Sequence, residues 1–304
     1  MPDSVIDAAV GVLRAGGLVA LPTETVYGLA ADAANAAAVR RIYAVKGRPA
    51  DHPLIVHLPQ RAELAHYAAG DPPALRRLAD RFWPGPLTAI VHKTDLVSDV
   101  VTAGQPTVAL RIADHPLTLA ILERFGAAVA APSANRFGRV SPTTAQHVRD
   151  DLGDDVDLIV DGGPARFGVE STIVDLTGDV PAILRTGVIG PTALGNALGV
   201  PVITRFGGTV RAPGMLASHY APRASLVLVS AATLADESAQ RSRSGERVAV
   251  LTLPSDAAGA ARELYATLRA LDAAGYDVLL AVLPPDVEAN AAVRDRLVRA
   301  AARE

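Results

Sequence analysis

The stretch Tyr43–His57, YAVKGRPADHPLIVH, joins two predicted elements through a short turn. Residues 34–45, which overlap its start, form a predicted helix. The run LIVHL at its end has the length and the branched side chains of a buried strand. The KGRP segment between them contains a glycine and a proline, which end helices and form turns. A helix, a turn and a buried strand therefore follow one another directly in this stretch.

Further strands and helices alternate on both sides of this stretch. Residues 5–15 form a predicted amphipathic helix, which is followed by the strand-like run LVALP. On the other side, residues 75–82, HPLTLAILERFG and PTTAQHVRDDLG are predicted helices among the strand-like runs LTAIV, TVALRI, AAVAAP, DLIVDGG, STIVDLT and AILRTG. We therefore predict an α/β or α+β core of about 200 residues.

This pattern is lost between residues 201 and 223, where glycines and prolines occur without a sustained period, as is typical of a linker. Beyond it, SLVLVS, RVAVLTL and DVLLAVLPP alternate with helices, which predicts a small parallel sheet of the Rossmann-like or flavodoxin-like kind. The sequence therefore predicts a first domain at residues 1–200, a linker at 201–223 and a C-terminal Rossmann-like α/β domain at 224–304.

The composition is that of a globular protein and excludes several kinds of site. Hydrophobic residues make up 50% of the 304 residues and the formal net charge is −3, so tight nonspecific nucleic-acid binding is not predicted, although a local basic groove is allowed. Cysteine is absent, which excludes disulfides, thiolate nucleophiles and cysteine zinc sites. The N-terminus is acidic, and no apolar run approaches the ~18 residues of a membrane span, so we predict a cytoplasmic protein without membrane contact.

The KGRP turn contains two cations, Lys46 and Arg48, on either side of a glycine. We expect both to project from one loop between the helix and the strand, where they would suit a phosphate or a carboxylate. The alternative is a solvated basic turn that only begins the strand.

The segment Pro132–Thr143, PSANRFGRVSPT, follows a predicted buried strand and is rich in polar side chains. Ser133, Asn135 and Ser141 have the groups that hold a ribose or a phosphate by hydrogen bonds. The alternative is a turn with a helix N-cap at Ser141 or Thr143.

Arg111 lies inside the apolar run TVALRI, and burying it requires an anion. That anion is either a carboxylate of the protein or a ligand. The histidines at 52, 57 and 219 are too scattered for a metal cluster, and neither a phosphate-binding loop motif nor a nucleophile elbow occurs. No structural metal held by the protein is predicted.

Six segments resemble, in their order along the chain, the motifs of the YrdC-like family: PTETVYGLAADA, KGRPADHPLIVH, FWPGPLT, TVALR, APSANRFGRVSPT and VESTIVDL. APGMLASHYAP and the C-terminal region resemble the longer, two-domain form of the L-threonylcarbamoyladenylate synthases. The resemblance covers almost the whole chain. It implies a mixed twisted sheet with helices around a basic cavity in residues 1–200, and a linker that closes over the active site.

The resemblance also implies a reaction. L-Threonine, bicarbonate or carbon dioxide, and ATP would give threonylcarbamoyl-AMP and pyrophosphate, with Mg²⁺ accompanying the ATP. Downstream tRNA threonylcarbamoyl transferase proteins would then move the threonylcarbamoyl group to an adenosine beside the tRNA anticodon. Direct binding of tRNA to this chain is expected to be weak or transient.

Lys46 and Arg48 are the implied catalytic residues, acting on the phosphates. The implied ATP contacts are Arg48, His52, Thr107, Ser133, Asn135, Ser141, Arg185, His219 and Tyr220. The implied L-threonine contacts are Thr25, His57, Arg111, the backbone of Ala131, and Ser171.

Two alternatives stand beside this interpretation. One is an RNA-binding YrdC-like module without synthase activity, against which the net charge and the low aromatic content of 4% both argue. The other is a related enzyme that activates carbamoyl phosphate for cofactor maturation. That context brings zinc-finger cysteines and an acylphosphatase segment, and this sequence contains neither.

Overall fold

The computed structural model describes residues 3–205 and 220–302. Its strands are β1 (Val19–Leu21), β2 (Gly28–Asp32), β3 (Ile55–His57), β4 (Leu87–His92), β5 (Thr107–Arg111), β6 (Val129–Ala130), β7 (Leu158–Ile159), β8 (Thr172–Asp175), β9 (Ala182–Arg185), β10 (Ile203–Thr204), β11 (Ser225–Val229), β12 (Val248–Val250) and β13 (Val278–Val282).

Its helices are α1 (Asp3–Arg14), α2 (Ala36–Lys46), α3 (Leu64–Tyr67), α4 (Pro73–Phe82), α5 (Asp99–Thr102), α6 (Pro116–Phe125), α7 (Ala145–Leu152), α8 (Pro191–Leu198), α9 (Leu234–Arg243), α10 (Ala257–Ala273) and α11 (Ala291–Ala301). Within these described residues, no helix is both long enough and apolar enough to span a membrane.

Ten strands form one mixed sheet in the order β10-β9-β8-β4-β5-β3-β6-β2-β1-β7. Parallel pairs such as β3 with β5 and β4 with β8 alternate with antiparallel pairs such as β4 with β5 and β8 with β9. The predicted mixed sheet is therefore confirmed. Strand β2 was not predicted, because GLAAD is rich in glycine and alanine, which have low strand propensity; its pairing with β1 and β6 overrides that preference.

Three strands form a second sheet in the order β11-β13-β12, with both outer strands parallel to β13. This confirms the predicted small parallel C-terminal sheet. Strand β10 pairs with β9 and so extends the large sheet to residue 204. Residues 206–219 lie outside the described residues, and the domain boundaries at 200 and 224 stay predictions.

Helix α2 ends where the KGRP turn predicts a stop, but one residue later than expected. Asn35 caps its start by accepting from the amides of Ala37 and Ala38, and Gly47 ends it in the left-handed conformation at φ 61°. Lys46 is therefore the last residue of the helix and not part of an exposed loop. Because Lys46 and Arg48 are only 2% and 7% exposed, the solvated-turn alternative is wrong.

Helix α7 (Ala145–Leu152) is capped by neither of the two residues considered for this role. Thr144 is the N-cap, and its side chain accepts from the amide of His147. The alternative reading of Ser141 or Thr143 as a cap is therefore wrong, and both side chains are buried.

The WPGP segment ties the end of α4 to the end of β5. A Cβ at Gly85 would lie 2.3 Å from the carbonyl oxygen of Phe82, so only glycine fits this turn. The Gly85 amide donates to the oxygen of Ile112, and the Gly85 oxygen accepts from Nε of Arg111 at 3.4 Å. The turn thus helps to orient the arginine that the sequence placed inside a strand.

Apolar clusters cover the large sheet, and another fills the second domain. Leu29, Leu54 and Leu110 belong to the largest cluster, whereas Leu264 and Leu297 belong to the cluster of the C-terminal sheet and its helices. The latter also contains Val26, Val140 and Val169 from the first domain. The two domains therefore share a continuous buried contact.

Candidate active site

A pocket of about 520 Å³, partly open to solvent, is formed by residues of β2, β3, β5 and β9 and of the loops beside these strands. It is lined by Thr23, Thr25, Val26, Gly28, Arg48, Ile55, His57, Arg111, Ala131, Pro132, Ser133, Glu170, Arg185 and Tyr220. Strand direction explains why these distant residues meet. Strands β3 and β5 are parallel, and their last residues, His57 and Arg111, are register partners. Strand β9 runs antiparallel to β8, so its last residue, Arg185, lies beside the start of β8.

Arg111 has a protein partner and also lines the pocket. Its Nη2 donates to Oε1 of Glu24 at 2.7 Å and to Oγ1 of Thr25 at 2.8 Å, and the Glu24 side chain is 1% exposed. Glu24 in turn accepts from the amide of Asp114 at 2.9 Å. Nη1 of Arg111 makes no hydrogen bond within the described part of the chain, which leaves this nitrogen available to a ligand carboxylate.

A chain of hydrogen bonds sets the direction of the Thr25 hydroxyl. Thr23 Oγ1 donates to the oxygen of Val26 at 2.5 Å, so the proton shared between Thr23 and Thr25 at 2.8 Å comes from Thr25. Because Thr25 Oγ1 also accepts from Arg111, its remaining capacity is that of an acceptor. The pocket therefore suits a ligand that donates a hydrogen bond beside its carboxylate.

His57 contributes a neutral ring to the same side of the pocket. Burial, followed by the nearby charge of Arg111, lowers the pKa of His57 to about 3. Its Nδ1 is buried without a hydrogen-bond partner in the described part of the chain. The positive charge on this side thus comes from Arg111 and not from the imidazole.

Arg48 lies on the other side of the pocket and keeps its charge at neutral pH. Its Nε and Nη2 donate to the oxygens of His52 at 3.2 Å and Pro53 at 2.9 Å. Burial lowers the pKa of Arg48 to about 10, well above neutrality. Two of its nitrogens are thereby held in place, and the guanidinium faces the pocket beside Ser133.

Lys46 does not line the pocket. Its Nζ donates to the backbone oxygens of Ser133 at 2.5 Å and Asn135 at 2.6 Å. Burial, with the charge of Arg48, lowers the pKa of Lys46 well below its ordinary value. The lysine therefore fastens the PSAN loop to the end of α2.

Arg185 closes the third side of the pocket. Its Nε donates to the oxygen of Ser171 at 3.0 Å and its Nη2 donates to Oγ of Ser171 at 2.9 Å. Ser171 Oγ also shares a hydrogen bond with Oγ1 of Thr88 at 2.7 Å. This network orients Arg185, which lines the same pocket as Arg48 and Arg111.

Glu170 is a buried carboxylate of the pocket. Burial would raise its pKa, but the charges of Arg296 and Arg185, with hydrogen bonds from Ser141 and Arg296, outweigh burial and lower the pKa of Glu170 to about 2. It is therefore ionised at neutral pH, and it compensates part of the charge of the three pocket arginines.

The structure brings together eight of the implied site residues: Thr25, Arg48, His57, Arg111, Ala131, Ser133, Arg185 and Tyr220. It leaves Lys46, His52, Thr107, Asn135, Ser141 and Ser171 outside the lining, although Ser141 and Ser171 touch Glu170 and Arg185, respectively. Thr107 begins β5, and at about 3.3 Å per residue it lies roughly 13 Å along the strand from Arg111. His219 falls outside the described residues.

Glu24, as the partner of Arg111, was not selected from the sequence, and neither was Glu170 as a site residue. The sequence indicated only indirectly that such a carboxylate exists, because an arginine inside an apolar strand requires an anion. It did not identify which carboxylate this is. Among the described residues there is no cluster of three or more histidine, aspartate or glutamate side chains that could hold a metal.

Comparisons with known proteins agree with this architecture. Residues 11–187 match the Sua5/YciO/YrdC family model, described as "Telomere recombination", and residues 191–302 match a model described as "Threonylcarbamoyl-AMP synthase, C-terminal domain". The threonylcarbamoyl-AMP synthase of Pyrococcus abyssi is 39% identical over 317 residues, covering 97% of this chain and 93% of the relative. The Bacillus subtilis threonylcarbamoyl-AMP synthase is 40% identical over 324 residues, covering 98% and 93%.

A solved structure gives the same result in three dimensions. The crystal structure of P. abyssi Sua5 complexed with L-threonine is similar to this chain with a TM-score of 0.95 at 38% identity, covering 99% of this chain and 95% of that one. The two family models together span nearly the whole sequence, and the relatives match along most of their own length. The chain therefore belongs to the family of two-domain threonylcarbamoyl-AMP synthases.

Proposed function

We propose that this protein is a threonylcarbamoyl-AMP synthase, which joins L-threonine, bicarbonate or carbon dioxide, and ATP into threonylcarbamoyl-AMP with release of pyrophosphate. The observation that carries the proposal is one pocket lined by three buried arginines, Arg48, Arg111 and Arg185, with hydroxyl groups between them. An amino acid and a triphosphate together bring several negative charges, and arginine matches the geometry of both carboxylate and phosphate.

The Arg111 side of the pocket is the proposed threonine subsite. Nη1 of Arg111 would bind the threonine carboxylate, and the acceptor capacity of Thr25 suits the amine or the hydroxyl of the amino acid. Neutral His57 and the backbone of Ala131 line the same side. The P. abyssi relative that was crystallised with L-threonine supports this choice of amino acid.

The proposed chemistry has two steps. The neutral amine of threonine forms a bond to the carbon of carbon dioxide and loses one proton to solvent, which gives an N-carboxylate. One oxygen of that carboxylate then forms a bond to the α-phosphorus of ATP, while the bond from this phosphorus to the bridging oxygen breaks and pyrophosphate leaves with the electron pair. Because a carbamate decomposes in water, the partly enclosed pocket would limit its contact with water between the steps.

The Arg48 side is the proposed triphosphate subsite. Arg48 and Arg185 would stabilise charge that accumulates on the phosphates, with Ser133 and Tyr220 along the nucleotide. Lys46, which does not line the pocket, would act on the phosphates indirectly by positioning the loop of Ser133 and Asn135. His52, Thr107, Ser141 and His219 complete the proposed ATP contacts. Positioning and electrostatics would supply most of the rate.

Mg²⁺ is proposed to arrive as part of the ATP substrate. Glu170, the carboxylate that lines the pocket, is paired with Arg296, and the neighbouring Glu24 is paired with Arg111, so neither is free to act as a metal ligand. The triphosphate and water would hold the ion, as Mg²⁺ prefers oxygen ligands and keeps several waters.

The product would pass to downstream proteins that transfer the threonylcarbamoyl group to tRNA, and the cytoplasmic location predicted from the sequence fits that route. The RNA-binding alternative has no support in the names of the relatives, which are synthases. Direct contact with tRNA remains proposed as weak or transient.

The test is pyrophosphate release from ATP by the purified protein, with and without L-threonine and bicarbonate, and with L-serine as a control. Release that requires both threonine and bicarbonate is the expected result. Release that is indifferent to threonine, or a melting temperature that rises with RNA but not with ATP and threonine together, would overturn the proposal.

A further inference from the structure

One carboxylate of the pocket is held from the second domain. Oε1 of Glu170 accepts from Oγ of Ser141 at 2.6 Å, and Oε2 accepts from the hydroxyl of Tyr265 at 2.9 Å and from Nε of Arg296 at 2.8 Å. Tyr265 belongs to α10 and Arg296 to α11. Two of the three side chains that hold this carboxylate therefore come from the C-terminal domain.

Arg296 is occupied on all sides by the protein. Its side chain is 0% exposed, Nη2 donates to the oxygen of Thr186 at 2.9 Å, and Nη1 donates to Oδ2 of Asp295 at 2.5 Å. Its guanidinium also lies 5.0 Å from the centre of the Tyr220 ring. With every nitrogen engaged, Arg296 is placed to hold other groups and not to bind a ligand itself.

The two attachment points of Arg296 are next to proposed ligand contacts in the chain. Glu170 immediately precedes Ser171, and Thr186 immediately follows Arg185. Ser171 and Arg185 contact each other through Nε at 3.0 Å and Nη2 at 2.9 Å. One guanidinium thus joins the start of β8 to the end of β9 at the position where the threonine and ATP subsites meet.

Apolar packing and a second arginine make this contact rigid. Val140 and Val169, which flank Ser141 and Glu170, belong to the buried cluster of the C-terminal domain. Arg269 of α10 donates from Nε to the oxygen of Ser141 at 3.3 Å. A Cβ at Gly168 would lie 2.4 Å from the oxygen of Arg262, so the two backbones touch here.

We propose that Arg296, supported by Tyr265, is a positioning residue of the synthase site, which fixes Glu170 and Thr186 and so sets Ser171 and Arg185 relative to each other. The C-terminal domain thereby completes both ligand subsites. This inference rests on the proposed function. The physical basis is that a planar guanidinium holds two partners in a set geometry, which an ammonium cannot do, and that a displacement of about 1 Å in a supporting residue can cost ~100-fold in rate.

The test is calorimetric titration of Arg296→Lys with ATP and, separately, with L-threonine. This variant keeps the positive charge but cannot reach both Glu170 and Thr186. We expect the Kd of each ligand to rise at least fivefold, because both subsites lose alignment. A role in stability alone would lower the number of binding sites and leave both Kd values unchanged, so the two roles are distinguished.

The control is Arg294→Lys on the same helix. Arg294 contacts the oxygen of Pro284 and the carboxylate of Asp286 within its own domain, and its replacement should leave both Kd values within twofold of wild type. Should Arg296→Lys fail to fold, Tyr265→Phe removes one hydroxyl from Glu170 while keeping the aromatic stack on Tyr220, and should raise both Kd values about two- to fourfold.

Threonine-dependent pyrophosphate release by the wild type separates this inference from the proposed function. A wild-type protein that binds neither ligand and releases no pyrophosphate would overturn the proposed function, and with it this inference. A wild type that is active, with Arg296→Lys and Tyr265→Phe both binding ATP and threonine within twofold of it, would overturn the positioning role alone.

Discussion

Replacing the buried pair of Arg111 and Glu24 tests the threonine subsite most directly. Removing Arg111 alone would leave the carboxylate of Glu24, 1% exposed, without its partner, at a cost to stability of about 3–5 kcal/mol. The double variant Arg111→Met and Glu24→Gln removes both charges and avoids that cost. It retains the pocket's volume while it removes the proposed carboxylate ligand.

The expected loss follows from one charge-assisted hydrogen bond, from Nη1 of Arg111 to the threonine carboxylate. Such a bond contributes about 1.5–3 kcal/mol, and at about 1.4 kcal/mol per tenfold this corresponds to a rise in the KM for threonine of roughly 10- to 150-fold. The KM for ATP should change much less, because Arg48 and Arg185 remain.

The assay is the initial rate of pyrophosphate release against threonine concentration at saturating ATP. The exposed pair Arg61 and Asp80 gives a matched control, since Arg61→Met with Asp80→Asn removes an ion pair at the surface. That control should leave the KM for threonine unchanged. A threonine KM of the Arg111 and Glu24 double variant within threefold of wild type would refute the assignment.

Three further predictions follow from other parts of the structure. Arg48→Ala should abolish threonine-dependent pyrophosphate release while circular dichroism shows a folded protein, and activity near wild type would contradict its role on the phosphates. Because burial lowers the pKa of His57 from 6.5 to about 3, only the unfolded state takes up this proton between those values, so stability is lost as pH falls through that window. Between pH 6.5 and 3, His57 should lower the free energy of unfolding of the wild type, measured in urea, by a few kcal/mol. His57→Gln should abolish this part of the pH dependence, and a variant with the same pH profile as the wild type would argue against a buried neutral ring. Gly168→Ala should lower the melting temperature by more than Gly126→Ala, because both glycines have positive φ but only at Gly168 would a Cβ meet backbone, 2.4 Å from the oxygen of Arg262; equal effects would contradict that close contact.

Local sequence patterns predicted the elements well where each pattern reflects local backbone geometry. The helix at 34–45, its stop at the KGRP turn and the three strands of the C-terminal sheet all follow from periodicity and from glycine and proline positions. Strand β2 did not follow, because its alanines and glycine have no strand preference and its neighbours in the sheet decide its conformation. Lys46 was misplaced for a similar reason, since a one-residue extension of α2 turned it from a loop cation into a buried one.

The sequence by itself determined the fold class, the parallel C-terminal sheet, the family motifs and the fact that Arg111 needs an anion. Only the tertiary structure decided which anion, because Glu24 and Arg111 lie 87 residues apart in the chain and meet through the ordering of strands in a mixed sheet. Likewise, Arg296 reaches Glu170 across 126 residues and from the other domain. Hydrophobic periodicity predicts the secondary structure and the buried face of each segment. An ion pair between distant residues depends instead on how the tertiary structure places two segments relative to each other.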